Sequence, residues 1–184
     1  MPEFDTLGAS NDIATTTDDG RPLRPLIDGV LVRSRTIHVD HRGRLFEVVN
    51  PAADPDFWAE PIVHSYVFTI RQGTLKGWGV HEENADRYCL MHGERRTVLY
   101  DDRPASPTRG MVQEVPLSAQ GIQMVFIPPG VWHLSINLAP HETLLLNCPT
   151  KPYVYSAPDR WTLPWDSDRI PVDVRSYFPR QMRP

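Results

Sequence analysis

Apolar residues recur at every second position in short runs along most of the chain. HSYVFTI (64–70) sets Tyr66, Phe68 and Ile70 on one face, the period of a half-buried β-strand. RSRTIHVD (33–40) and RLFEVVN (44–50) are short, rich in β-branched residues and separated by the turn His41-Arg42-Gly43. RYCLMHG and RRTVLYDD form the next pair around Gly93-Glu94. MVQEVPL, QMVFIP, HLSINL and TLLLNCP then follow with Pro, Gly or Asp in the gaps. Strands spaced so evenly predict a sandwich or barrel rather than βαβ units. Only DPDFWAE (54–60) has the composition of a helical turn. Past Pro149 the chain is rich in Pro, Tyr, Trp and Asp, and it is expected to wrap over the barrel surface. The expected organisation is a flexible lead-in over 1–28, one domain over 29–170 and a tail over 171–184.

Composition narrows this picture. A chain of 184 residues suits one domain with a sizeable core. Nineteen prolines against eleven glycines point to many turns and no long helices. A formal net charge of −4 gives no basic footprint, which argues against nucleic acid as a partner. Cys89 and Cys148 stand apart, without CxxC spacing, and read as reduced buried thiols. No apolar run approaches the roughly 20 residues of a membrane span, and the first residues lack an apolar signal-peptide core. The expectation is a soluble cytoplasmic protein with no membrane contact.

Two segments carry chemistry. GTLKGWGVHEENADRYCLMHGE (73–94) crowds His81, Glu83, Asp86 and His92 between two glycines. On a regular strand Glu83 shares a face with His81, and a carboxylate beside a histidine raises its pKa. His92, in a turn, reads as solvated. In the second segment Gly121, an apolar strand, Pro128-Pro129-Gly130, His133 and Asn137 follow in order. The PPG turn joins two strands and starts the next one at His133. His81, Glu83, Asp86 and His133 also make an N/O set of the kind that holds Fe, Mn, Ni or Zn. No cofactor is the preferred reading, with a divalent metal as the alternative. Trp78 and Trp132 flank the two histidine segments, as pocket walls or as core.

These two segments resemble the paired cupin motifs, with Glu83 in place of the intermediate histidine, which implies an all-β double-stranded β-helix, or jelly roll. Within that superfamily, DHRGRLFEVVN (40–50), GTLKGWGVH (73–81), the HGE turn (92–94), FIPPGVWH (126–133) and LLLNCPTKPY (144–153) resemble, in order, blocks of the dTDP-4-dehydrorhamnose 3,5-epimerase family. The resemblance covers about residues 30 to 170. YDDRPASPTRG and LPWDSDRIP resemble a divergent branch.

The resemblance implies proton transfer beside the ketone of a dTDP-linked 4-keto-6-deoxyhexose, by epimerisation or keto-isomerisation. The family's histidine base aligns without a gap on Gly79, and a shift of two residues keeps the strand face and makes His81 its stand-in. Asp166 matches the supporting aspartate; Glu83 and His133, read from the residues themselves, complete the candidate catalytic set. Lys76 takes the place of the family's arginine as a phosphate contact. Arg42 and Glu47 match the DxRGxxxE block, which reaches a nucleotide site shared with a neighbouring subunit and so implies a homodimer. Arg87, as a nearby cation, and Trp78 and Trp132, as pocket walls, are further candidate substrate contacts. Two departures stand out. The family's catalytic tyrosine aligns with Leu146, and Asp86-Arg87 occupies the neighbourhood of its lysine. A metal-dependent cupin enzyme and a non-catalytic nucleotide-sugar binder remain the alternatives.

Overall fold

The computed structural model describes residues 9–10, 13–15, 17–18, 23, 25–119 and 121–178. Most of the expected lead-in, and the end of the tail, lie outside the described residues. The strands in chain order are β1 Leu31–Ser34, β2 His38–Asp40, β3 Gly43–Leu45, β4 Tyr66–Ile70, β5 Thr74–Val80 and β6 Asp86–His92. β7 Glu94–Asp101, β8 Val112–Ser118, β9 Ile122–Ile127, β10 Val131–Asn137, β11 Thr143–Asn147 and β12 Trp161–Thr162 complete the set. One antiparallel sheet has the order β1-β9-β6-β11-β4, and the other has the order β12-β5-β10-β7-β8. Their inner faces meet, so the architecture is the all-β cupin-like jelly roll.

Alternation along the strands divides the apolar residues among three clusters. Tyr88, Leu90, Leu99, Val115, Val125 and Val131 point inward, together with Ile27 and Leu145, and fill one end of the barrel. The outer face of the β5-β10-β7 sheet carries Trp78, Val98, Leu134 and Ile136, and the chain end covers it with Ile170, Val174 and Phe178. The outer face of the other sheet presents Cys89, Met124 and Cys148 to Phe57 and Trp58. The other end of the barrel is left open.

Several local expectations change. Segment 33–40 is interrupted between β1 and β2, and 44–50 leaves strand geometry after Leu45. β2 and β3 pair only with each other, so Val39 and Leu45 stay 76% and 63% exposed. Segment 54–60 forms turns without a helix, because burying Phe57 and Trp58 against the sheet overrides its propensity. Among the described residues the helical element is a 3-10 turn at Val174–Tyr177, where Asp173 Oδ1 accepts from the Arg175 amide at 3.1 Å.

A register shift in the β5–β10 pairing positions the open end. His133 pairs with Gly79 but Ser135 pairs with Lys76, so β5 carries an extra residue there. A Cβ built on Gly77 would lie 2.4 Å from Leu134 Cγ, so the bulge needs glycine at that point. The bulge lets Lys76 and Gly79 both face the interior while Trp78 faces out. Trp78 is fully buried, and its Nε1 donates to Trp165 O at 3.2 Å. Trp78→Ala is expected to cost about 3–5 kcal/mol of stability, read as a lower midpoint in urea unfolding. A change below about 1 kcal/mol would show that the chain end contributes little to holding β5.

Candidate active site

The open end of the barrel is a cavity of about 860 Å³, within the usual size of small-molecule sites. Its walls come from β4, β5, β6 and β10 and from the segment 149–161. His133 enters from β10, and His81 from the first residue past β5. The PPG turn fixes the second of these: Gly130, at φ +78°, donates its amide to His81 O at 2.7 Å. The imidazoles stack with centroids 5.6 Å apart and planes 22° apart. Asp86, on the facing sheet, brings Oδ2 to 3.4 Å from His81 Nε2 and 3.4 Å from His133 Nε2.

Neighbouring groups hold each of the three. His81 Nδ1 donates to the Asp159 carbonyl, and His133 Nδ1 donates to Val131 O at 3.2 Å. A carbonyl only accepts, so both Nδ1 atoms carry the proton and both Nε2 atoms face Asp86. Asn147 Nδ2 donates to Asp86 Oδ1 at 2.7 Å and to the Tyr66 hydroxyl at 2.9 Å. The Asp159 carboxylate accepts from the amides of Glu82, Glu83 and Asn84 at 2.7, 3.0 and 2.8 Å, which fixes the turn after His81.

The electrostatics follow from one buried anion between two bases. Burial pushes the Asp86 pKa up, but pairing with His81 and the charge of His133 reverse this and bring it down to about 2. Burial works to lower His81, and Asp86 outweighs it, so its pKa lies above 6.5. His133 is deeper, and burial dominates, lowering it to about 4 despite Asp86. The triad thus divides into a carboxylate, a neutral His133 and a His81 whose charge changes above 6.5.

The fold the site belongs to is matched by sequence. The profile of the family described as dTDP-4-dehydrorhamnose 3,5-epimerase matches residues 25–181. The chain belongs to this family. It is 33% identical over 150 residues to the Haloferax volcanii protein named Probable low-salt glycan biosynthesis epimerase Agl13, covering 81% of this chain and 95% of that one. A dTDP-4-dehydro-6-deoxyglucose 3-epimerase of Streptomyces bikiniensis is 29% identical over 135 residues, covering 68% of this chain and 67% of the relative. Among solved structures, the 3'-monoepimerase ChmJ of Streptomyces bikiniensis, in complex with dTDP-quinovose, superimposes with a TM-score of 0.73 at 22% identity. That match covers 88% of this chain and 81% of ChmJ, and it supports the shared fold.

Within the family frame, several residues read from the sequence lie elsewhere. Asp166 is an exposed residue paired with Arg175 at 3.0 Å, outside the cavity; the carboxylate beside His81 is Asp86. Glu83 lies past the end of β5, so strand alternation no longer applies, and it pairs with Lys151 at 2.6 Å on the cavity rim. Arg87 alternates to the outer face between Asp86 and Tyr88; its guanidinium lies 5.2 Å from the Trp58 ring and donates to Glu60 O. Trp78 belongs to the outer core, and Trp132 packs against that same cluster. Lys76 lines the cavity, with Nζ 5.5 Å from the Phe68 ring. Arg42 pairs with Asp40 and Glu47 accepts from Asn50, both away from this chain's own cavity.

Other cavity residues had no place assigned to them by the sequence. Tyr66 and Tyr88 line the cavity, whereas Leu146, aligned with the family tyrosine, packs on the outer cluster. Alternation from Asp86 on β6 was a signal for Tyr88. Asp159 and Arg160 lie in the proline-rich segment, where no periodicity marks them.

The shifts fix the sign of each pH effect. The contribution of His81 to stability is complete below 6.5 and is lost as pH rises through its folded value. That of neutral His133 is complete above 6.5 and is lost as pH falls towards about 4. That of Asp86 is complete above 3.8 and is lost as pH falls towards about 2. Ring-nitrogen NMR should show His133 neutral down to about 4 and His81 titrating above 6.5, with Asp86→Asn lowering the His81 value. Both rings titrating together near 6.5 would contradict this arrangement.

Proposed function

We propose that the protein is a nucleotide-sugar isomerase of the epimerase type, acting on a dTDP-linked 4-keto-6-deoxyhexose. The observation that carries the reading is His81, backed by the buried Asp86 carboxylate and presented to an open cavity large enough for such a ligand. The substrate class is that named for relatives in the family. A carbon next to a ketone is acidic because the electron pair left behind enters the carbonyl oxygen as an enolate. His81 Nε2, unprotonated while Nδ1 holds the Asp159 carbonyl, takes that proton, and Asp86 stabilises the imidazolium formed. Return of a proton to the same carbon from the opposite face regenerates the ketone inverted. Return to the former carbonyl carbon, with the adjacent hydroxyl proton passing to the enolate oxygen, regenerates it shifted. Lys76 and Arg160 supply positive charge on the cavity wall for the enolate or the diphosphate.

Incubation with candidate dTDP-4-keto sugars in deuterated water should incorporate deuterium beside the ketone, read by mass spectrometry. His81→Asn is expected to slow exchange by roughly 10²–10⁴ while substrate binding persists. Binding without any exchange by the wild-type protein would leave a nucleotide-sugar binder.

The proposed assembly is a homodimer in which the exposed β2–β3 hairpin carries Arg42, with Glu47 following, to the partner's barrel mouth. Exposed Val39 and Leu45 support this reading, since they have no cover among the described residues. Such an interface would bury roughly 2,000 Å² or more. Light scattering at micromolar concentration should report twice the chain mass, and a monomer would end the shared-site reading.

A further inference from the structure

The triad of His81, Asp86 and His133 has a geometry that proton transfer at His81 alone does not account for. Asp86 Oδ2 is buried and accepts no hydrogen bond, although its carboxylate is 2% exposed. Both neighbouring Nε2 atoms lie at 3.4 Å, longer than the roughly 2.7–2.9 Å of a charge-assisted N–H···O bond. Two ligands on a tetrahedral ion with bonds of roughly 2.1 Å sit about 3.4 Å apart. One ligand atom from each of the three residues falls within 4.8 Å of the others.

We infer that His81 Nε2, His133 Nε2 and Asp86 Oδ2 form a binding site for one divalent first-row transition-metal ion. The surrounding hydrogen bonds are those a metal site requires. A ligating histidine gives its other ring N–H to a carbonyl, and a ligating carboxylate is held through its second oxygen. His81 Nδ1 has the Asp159 carbonyl, His133 Nδ1 has Val131 O, and Asp86 Oδ1 has Asn147 Nδ2. Two imidazoles and one carboxylate select Zn, Fe(II), Mn or Ni over Mg or Ca, which take oxygen ligands. His81 and His133 line the cavity, so an ion there would keep open positions towards any bound ligand. Ion and proton compete for His81 Nε2, so a loaded site blocks the proposed exchange; that last consequence alone rests on the proton-transfer reading.

The full-length protein, stripped with a chelator, is titrated with Zn²⁺ by calorimetry and with Co²⁺ by visible spectroscopy. The expected result is one ion per chain, ligand-field bands with Co²⁺ and a higher melting temperature with Zn²⁺. Asp86→Asn and His133→Gln should abolish all three, and Asn147→Ala should weaken binding roughly 10–100-fold. On the wild-type protein, which needs no variant to fold, Zn²⁺ should move the Nε2 NMR resonances of His81 and His133 and leave His38 and His64 unchanged. Absence of stoichiometric binding overturns the site, as does binding indifferent to the substitutions or shifts spread over other histidines. Exchange by the chelator-treated protein is assayed separately. Exchange by that protein together with failure to bind added Zn²⁺ refutes the metal site alone, and Zn²⁺ binding together with no exchange by the stripped protein refutes the proton transfer alone.

Discussion

A single buried negative charge organises the open end of this barrel. The Asp86 carboxylate lies on an inner strand face, away from solvent, where an unpaired anion would be costly. Its neighbours answer that cost: Asn147 Nδ2 donates to one oxygen, and His81, once protonated, pairs with the other, which His133 also faces. Each belongs to a different element, so holding the charge also fixes the relative position of β6, β10, β11 and the turn after β5. The same charge raises His81 above 6.5, whereas the deeper His133 is lowered by its burial to about 4 in spite of it.

The segment after β11 is as much a part of the site as the strands. Asp159 uses its carboxylate to gather three successive amides and its carbonyl to hold His81 Nδ1, so one residue sets both the path of the chain and the tautomer of the ring. Further along, Ile170, Val174 and Phe178 seal Trp78 against the outer sheet face. Because Trp78 and Gly79 are adjacent across the β5 bulge, packing outside the barrel fixes the strand that delimits the cavity inside it.

The barrel therefore has two ends of different character built from the same alternating strands. On β6, Leu90 enters the apolar fill, Tyr88 lines the cavity, and Asp86 meets the two cavity histidines. Arg95, buried beside Tyr88 and Phe68 with its guanidinium 4.9 and 5.4 Å from their rings, brings a positive charge under this boundary. Burial lowers its pKa to about 10, still far above neutrality, so it remains a cation. Chemistry in this molecule sits where the apolar packing stops.

The sequence alone determined the strands and their inward faces, because alternation is a local property of each run: Tyr66 with Phe68, or His133 with Ser135. It also marked His81, Asp86 and His133, since glycine-bounded turns and a PPG corner are local signals. Which carboxylate serves His81 was a different question. The family pattern pointed to Asp166, and strand alternation pointed to Glu83, yet the partner is Asp86, from the facing sheet. Distances between sheets depend on how two layers pack, and no periodicity within one strand encodes them. Trp78 and Arg87 looked like site residues for the same reason, until the bulge at Gly77 and the cover from Trp58 set them on outer faces. Asp159 carried no pattern at all, because a proline-rich segment has no repeating face, and only the closed barrel brings it to His81.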